Sequence, residues 1–213
     1  MLKPGAEYSR YVRPVLLLVI LTIFTKLGAP FRVRMHFDIN DLTLIGLFVA
    51  LTAGSLITLR LFKLKHSHSQ TTYGINLGGA LLPMALCCWL ISQDNLPLWP
   101  GILIVLLVAA VVYPLTQTSS RYGIRIYLAG GIFAAALAVQ WLPAEQRHSW
   151  AFIGGVLGTL IGGDLLHISR LEQTLEGEDH SITLGSDGIM DAIFVSGLLS
   201  LLAADTLDYY ALL

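Results

Sequence analysis

Charged residues are scarce in this chain. Of its 213 residues, 13% are Asp, Glu, Lys or Arg, whereas 55% are hydrophobic. A soluble domain carries about 25% charged residues. The net charge of −1 at pH 7 also lacks the excess of cations that a protein needs to bind a phosphate backbone. The scarcity of charge therefore argues against an ordinary soluble domain and against a nucleic-acid partner.

Cysteine is equally rare. The two cysteines, Cys87 and Cys88, are adjacent within an apolar run. Neighbouring side chains on a helix point about 100° apart, so a disulfide between them is not expected. No spacing typical of a metal site is present either. We interpret both as small apolar core residues, and the sequence predicts neither a metal centre nor a cofactor.

Long apolar runs are what the chain has instead. Blocks of about 20 apolar residues alternate with short polar pieces, which is the pattern of membrane-spanning helices. Seven runs can be delimited, at 12–29, 42–62, 75–91, 98–116, 124–142, 150–168 and 188–204. They predict an all-α fold, a polytopic transmembrane helical bundle of about seven spans. The number is six if the short first run lies in the membrane interface. We treat residues 1–213 as a single integral membrane domain.

The distribution of Lys and Arg predicts how this bundle is oriented. With seven spans, nine of these cations fall on the side of the N-terminus and four on the other side. Because cytoplasmic loops carry the excess of Lys and Arg, the N-terminus is expected in the cytoplasm. Trp99, Trp141 and Trp150 then fall near outer boundaries, as an aromatic belt requires. Residues 169–187 form the most acidic piece, which we expect to be a cytoplasmic loop.

Glycine is concentrated in the sixth run. Gly154, Gly158 and Gly162 are spaced four apart, a pattern that favours close helix packing and offers a face for a homo-oligomer. Asp164 lies about 200° round the helix from Gly162, so it is off this ridge. His167 follows three residues later and shares the face of Asp164 in a regular helix.

The topology brings several polar residues to a similar depth in the cytoplasmic half of the bundle. Asp164 and His167 lie near the inner end of the sixth run, Asp187 and Asp191 near the start of the seventh, and Asn76 in the first turn of the third. A carboxylate in hydrocarbon costs about 2.5–3.5 kcal/mol on insertion scales and therefore normally faces protein or water at a working site. We predict that these five residues form one ligand-binding pocket.

Three functions compete for this pocket. The foremost is a small transporter or channel-like protein, in which the carboxylates bind a cation or carry protons across the lipid bilayer. The second is an intramembrane di-aspartyl hydrolase or protease, in which Asp164 and Asp191 are the catalytic candidates and share a proton. The third is a structural membrane protein without catalysis, whose carboxylates only hydrogen-bond between helices.

Three segments carry a resemblance to a known family. They are Asn-Leu-Gly-Gly-Ala-Leu-Leu-Pro at 76–83, Gly-Thr-Leu-Ile-Gly-Gly-Asp-Leu-Leu at 158–166 and Asp-Ala-Ile-Phe at 191–194. In them the chain resembles the domain-of-unknown-function family sixteen-fourteen over residues 41–204. The resemblance implies a multi-pass membrane protein of the prokaryotic cytoplasmic (inner) membrane and transfers no catalytic role. At 57–60 the chain reads Ile-Thr-Leu-Arg, where a second polar-proline motif is expected.

A weaker likeness is to the GxGD intramembrane aspartyl proteases. Gly163 and Asp164 fit that motif, but Ile161 stands where its first glycine belongs. The partner aspartate, Asp191, follows the motif instead of preceding it, and no Pro-Ala-Leu comes after it. These departures keep the protease the second interpretation.

Overall fold

A computed structural model describes residues 41–66, 69–93, 96–120, 123–175 and 180–211. The chain divides into two units, residues 1–49 and residues 50–213. Only residues 41–49 of the first unit are described, and they form part of a helix. The first apolar run, 12–29, lies outside the described residues. The fold is therefore that of the second unit.

Helices make up most of the described chain. They are α1 (Asp41–Gly54), α2 (Leu82–Gln93), α3 (Leu98–Val112), α4 (Leu128–Ala138), α5 (Ala144–Thr159), α6 (Ile168–Thr174) and α7 (Ala192–Ala211). A π turn, Leu77–Leu81, leads into α2. Another π turn, Leu160–Asp164, and a 3-10 turn, Leu165–His167, connect α5 to α6. The structure is mostly helical, as predicted.

Five strands in the described part of the chain correct the all-α prediction. They are β1 (Thr58–His66), β2 (Ser69–Asn76), β3 (Thr116–Ser119), β4 (Gly123–Ile126) and β5 (His180–Leu184). The first sheet has the order β1-β2-β5, with β1 antiparallel and β5 parallel to β2. In it Thr71 is opposite His180 and Ile75 is opposite Leu184. The second sheet is the antiparallel pair β3–β4.

The strands replace the ends of two predicted spans. The run 42–62 is helical only as far as Gly54, and β1 begins at Thr58. From Leu59 to Lys65 apolar and cationic residues largely alternate, a period of two that favours a strand over a helix. Likewise β4 occupies the start of the run 124–142, and α4 begins at Leu128. The acidic piece 169–187 is not simply a loop, because it contains most of α6 and all of β5.

Three helices among the described residues are long and apolar enough to cross a membrane. They are Leu98–Leu115, Ala144–Thr174 and Ala192–Tyr210, and two shorter apolar helices are Leu77–Gln93 and Leu128–Trp141. One face of α3 exposes large apolar side chains: Leu98, Trp99, Ile102, Leu103, Leu106 and Leu107. Such a contiguous apolar face suits lipid and not water. The described chain thus holds three helices of membrane-spanning length and composition, as a membrane protein requires, and seven spans are not confirmed.

The glycine ridge of α5 packs against α3 of the same chain. A Cβ at Gly154 would meet the side chain of Ile104, and one at Gly158 would meet that of Val108. At Gly162 the obstacle is the backbone of Ala109. Only residues without a side chain allow such close approach of two helices. The predicted close packing is therefore observed, and the ridge is occupied within the chain.

The opposite side of α5 packs against α7, also through small residues. A Cβ at Gly155 would lie 2.8 Å from the Cα of Gly197. The hydroxyl of Thr159 donates a hydrogen bond to that of Ser196 at 2.9 Å, where both are fully buried. Since α5 and α7 run antiparallel, the end of α5 and the start of α7 meet at one end of the pair. This arrangement positions the site described below.

One of the three belt tryptophans is not at the surface. Trp99 and Trp141 are exposed, as an aromatic belt predicts, but Trp150 is 2% exposed. Its indole fills the space that Gly101 leaves on α3, where a Cβ would collide with the ring. Trp150 therefore belongs to the core, and its assignment to the belt was wrong.

Candidate functional site

Asn76 connects the end of β2 to the turn that opens α2. Its side-chain oxygen accepts a hydrogen bond from the Gly79 N–H at 2.8 Å, which caps the π turn. Its amide donates to the Ser55 carbonyl at 2.8 Å and to the Thr58 hydroxyl at 3.4 Å. Both ends of this buried amide are thus satisfied by neighbouring chain segments. Asn76 holds three segments together and is not among the residues that line the cavity described below.

Backbones cross closely just after Asn76. A Cβ at Gly78 would meet the Leu51 carbonyl oxygen, and one at Gly79 would meet the Gly185 carbonyl oxygen. Gly185 and Gly188 have positive φ values of 70° and 65°, a backbone conformation that glycine adopts without a steric cost. These contacts fix the turn 185–188 against the start of α2. The turn leads directly to Asp191.

Asp191 is the N-cap of α7. One of its carboxylate oxygens accepts the Ile193 N–H at 3.1 Å, and the other accepts the Asp187 N–H at 3.3 Å. The cap of α7 is thus Asp191, not the preceding Ser186 or Asp187. Burial raises the pKa of Asp191 above its ordinary value, the two backbone N–H groups oppose that rise, and the nearby charge of Asp187 adds to it. The capping bonds fix the orientation of this carboxylate.

Asp164 lies in the π turn at the end of α5 and is 9% exposed. Among the described residues, no donor forms a hydrogen bond to its carboxylate. Gly163 leaves room beside it for the Ile126 side chain of β4, because a Cβ there would collide with that side chain. Asp164 is therefore buried without the partners that Asp191 has.

Asp164, Asp187 and Asp191 line one cavity of about 250 Å³. Its walls are residues 123, 124 and 126 of β4 and residues 181–184 of β5. Ser181, Ser186 and Asp187 are exposed, so the cavity opens to the surface. No Lys, Arg or His is among the described residues that line it. We call this the carboxylate cavity, after the three aspartates that line it.

A metal site is not formed by these groups. Within the described ranges, no three His, Cys, Asp or Glu side chains are grouped so that they could hold a metal ion. Asp191 already directs both carboxylate oxygens at backbone N–H groups. The arrangement suits a proton, a monovalent cation or a cationic group better than a fully coordinated divalent metal.

His167 occupies a different environment from Asp164. It is 1% exposed, its Nδ1 lies 3.0 Å from the Gly162 carbonyl oxygen, and its ring lies 4.7 Å from the Tyr113 ring. The π turn that ends at Asp164 and the 3-10 turn that begins at Leu165 change the angular spacing that a regular α-helix would give. Asp164 faces the carboxylate cavity, whereas His167 is not among its lining residues. The Nε2 of His167 is buried without a hydrogen-bond partner among the described residues.

A second polar cluster lies at the other end of α5 and α7. The Arg147 guanidinium donates to the Asp208 carboxylate at 2.7 Å. His148 Nε2 lies 3.4 Å from Asp205 and 3.8 Å from Asp208. The side chain of Asp208 is only 12% exposed although it lies near the end of α7. We call these four residues the ion-paired cluster.

Sequence reasoning missed the strands that form the walls of the carboxylate cavity. The segments Gly-Ile-Arg-Ile in β4 and His-Ser-Ile-Thr-Leu in β5 each alternate between apolar and polar residues. Such a period of two, with β-branched residues, was the available signal. The two segments have four and five residues, which is too few to distinguish a strand from a loop by this pattern.

The comparison with known families identifies the family of this chain. The family described as "Protein of unknown function (DUF1614)" matches residues 49–203. The chain belongs to this family. The resemblance predicted from the three sequence segments is thereby confirmed. No curated protein and no solved structure matches the chain.

Proposed function

We propose that this protein binds a proton or a monovalent cation in the carboxylate cavity as part of a transport or channel-like function. The observation that carries the proposal is Asp164, a nearly buried carboxylate without a hydrogen-bond donor among the described residues, in the same cavity as Asp191. A buried ionised carboxylate without a partner is strongly disfavoured. Asp164 is therefore either protonated or neutralised by a bound cation.

The second carboxylate strengthens this requirement. Two negative groups in one partly buried cavity repel each other, so that one proton or one cation between them is favoured. Asp191 is held in place by its two backbone hydrogen bonds. Uptake and release are then expected to occur mainly at Asp164, whose side chain has no such restraint.

The location also suits a site that exchanges with one aqueous side. In the proposed topology the protein is multi-pass, lies in a prokaryotic cytoplasmic membrane and has its N-terminus inside, because nine of its 13 Lys and Arg fall on that side. The carboxylate cavity lies at the end of α5 and the start of α7, which this topology places near the cytoplasm.

Flux measurements in liposomes test this function. Purified full-length protein is reconstituted, a pH or K⁺ gradient is imposed, and flux is followed with a dye. We expect flux that Asp164→Asn abolishes and Asp191→Asn strongly reduces. Glu172→Gln is the matched control, since Glu172 lies on α6 and outside the cavity lining. Absence of flux, or flux that survives Asp164→Asn, contradicts the proposal.

The carboxylates also support a second candidate, a di-aspartyl hydrolase. Their environments differ, because Asp191 accepts two backbone hydrogen bonds and Asp164 accepts none from the described residues. Unequal environments separate the proton affinities of two carboxyl groups, which allows one to act as acid and the other as base on a water molecule. The two aspartates would activate that water between them.

Cleavage of an added membrane peptide distinguishes this candidate from transport. A hydrolase is expected to show no flux but to cleave the peptide, and both Asp164→Asn and Asp191→Asn are expected to abolish cleavage. If neither flux nor cleavage occurs, the third interpretation stands, that of a structural membrane protein. Because the glycine ridge of α5 packs against α3 of the same chain, a homo-oligomer in any of these functions would have to form through another surface.

A further inference from the structure

Two strand edges border the carboxylate cavity. Within the described part of the chain, β5 pairs with β2 on one side only, and β4 pairs only with β3. Each of them therefore has a second edge that no described strand covers. Both strands contribute residues to the same cavity. The cavity is thus lined by two strands that each have an edge free of described strands, an arrangement that proteins normally avoid by covering or shortening such edges.

The lining shows that the cavity follows the edge of β5 and not merely one of its faces. Four consecutive residues, 181–184, border it. Side chains in a strand alternate between two faces, so a cavity that touches four in succession must run along the backbone itself. Strand edges carry N–H and C=O groups that can pair with an additional strand.

We propose that the carboxylate cavity and the adjoining edge of β5 bind an extended peptide segment that carries a lysine or arginine side chain. The peptide backbone adds to β5 as a further strand of the sheet β1-β2-β5. Its basic side chain enters the cavity and pairs with Asp164. The occupant is thus a polypeptide in extended conformation, recognised by its backbone and by one positive charge.

The chemistry of the walls fits this occupant. Ile124, Ile126, Leu171 and Ile182 supply apolar contacts for its uncharged side chains. Asp164 is nine-tenths buried, lines the cavity and, among the described residues, lacks a hydrogen-bond partner. A cationic side chain would neutralise Asp164, and the negative charges of Asp187 and Asp191 would attract it as well. No lining residue in the described ranges carries a positive charge that would repel such a side chain.

This peptide site does not depend on ion transport, and it would supply the class of substrate for the hydrolase candidate. Binding can be measured in detergent without a gradient and without turnover. A failure of transport therefore leaves the peptide site standing. Conversely, loss of the peptide site does not affect a proton site at Asp164.

Fluorescence anisotropy with a labelled probe peptide tests the proposal. The probe has about nine residues, the length of an ordinary strand, with alternating Val and Thr around a central Lys. We expect saturable binding to the full-length protein in detergent. Methylation of alternate backbone nitrogens of the probe should weaken binding at least about tenfold, because a methylated nitrogen cannot donate to a strand edge. Replacing the central Lys by norleucine should weaken it by a similar factor.

Two protein variants locate the site. Asp164→Asn should weaken binding of the Lys probe about tenfold but leave binding of the norleucine probe unchanged, which a general loss of folding would not do. Glu172→Gln should affect neither probe. A photocrosslinking amino acid at Ser181 on the cavity wall should capture the probe. The same group at Leu61 on β1, at the opposite edge of the sheet, should not.

Three results would overturn the proposal. One is no saturable binding of the Lys probe. Another is binding that is insensitive to backbone methylation, because a strand added to β5 requires the N–H groups. The third is cross-linking from Ser181 to another part of the same chain in place of the probe, since the edge would then be covered by the protein itself.

Discussion

The carboxylates at the two ends of the α5–α7 pair have contrasting surroundings. At one end Asp208 is bonded to Arg147 and Asp205 lies near His148. At the other end, roughly 25 Å away by the helical rise, Asp164 shares a cavity with two further acids and, among its described lining residues, no cation. Both ends are polar, yet among the described residues Asp164 has no hydrogen-bond partner, whereas Asp208 is bonded to Arg147. We infer from this difference that the cavity end takes up a positive charge from a bound ion or molecule.

The region between the two ends explains why they can differ. Gly155, Thr159, Ser196 and Gly197 let α5 and α7 approach closely, and this contact does not depend on either polar cluster. The cavity end is therefore free to carry an unfavourable group, because the packing of the helices stabilises the pair. Function often uses such locally unfavourable groups in an otherwise well-packed fold.

The largest expected effect is at the ion-paired cluster. Arg147→Ala removes the guanidinium 2.7 Å from the Asp208 carboxylate, which is 12% exposed, and leaves only the more distant His148 at 3.8 Å. Breaking a fully buried pair costs about 3–5 kcal/mol and a surface pair at most about 1, so we expect a loss near 2 kcal/mol in this intermediate position. Thermal unfolding in detergent measures it, and Lys63→Ala on exposed β1 is the control. If Arg147→Ala and Lys63→Ala were equally stable, the ion pair would not stabilise its end of the α5–α7 pair, and the contrast with the cavity end would disappear.

A smaller loss is expected when the cap of α7 is removed. Asp191→Ala deletes the acceptor of the Ile193 and Asp187 N–H groups, and loss of such a cap costs about 1 kcal/mol. Asp191→Asn keeps one acceptor oxygen and should recover part of the stability. The same unfolding measurement applies. If alanine and asparagine lower the melting temperature equally, the capping bonds are not what orients this carboxylate.

The pH dependence of stability sharpens the role of Asp191 further. Because burial raises its pKa in the folded protein, the folded state binds this proton more tightly than the unfolded chain does. Its contribution to stability is therefore fully present below the unfolded pKa of about 4 and is lost as pH rises through the folded pKa. Melting temperatures across that window should fall less steeply for Asp191→Asn. An unchanged slope would contradict the direction of the shift.

The smallest effect on stability is expected at Asp164. Asp164→Asn replaces a buried ionisable group that, within the described residues, has no hydrogen-bond partner, so the free energy of unfolding should be unchanged or rise by up to about 1 kcal/mol. Arg147→Ala should thus destabilise the protein and Asp164→Asn should not, although both affect a buried carboxylate. A clear destabilisation by Asp164→Asn would show that this residue has a structural partner after all.

The sequence predicted the helical membrane fold, the close packing of the glycine ridge and the family. These features rest on local patterns, such as the fixed spacing of Gly154, Gly158 and Gly162. Such patterns do not depend on distant parts of the chain. It did not predict the strands, because β5 is five residues long and its partner Thr71 lies more than a hundred positions earlier. Pairing at that distance leaves no local trace beyond a brief alternation.

The candidate site was predictable only in part, for the same reason. Asp164, Asp187 and Asp191 could be placed at one depth by counting along apolar runs. The different surroundings of His167 follow from a π turn and a 3-10 turn, whose irregular spacing cannot be read from the sequence. Asn76 was assigned to a ligand pocket because it is polar within an apolar run, whereas its hydrogen bonds to Ser55 and Gly79 make it a connector.

The parallel pairing of β2 with β5 has a consequence for biosynthesis. When β2 leaves the ribosome it can pair at once with β1, but its other edge stays unpaired until the chain has been made as far as β5. Long-range pairing of this kind forms slowly and leaves an edge open in the meantime. The nascent β1–β2 hairpin therefore presents a free strand edge that a chaperone could cover during synthesis.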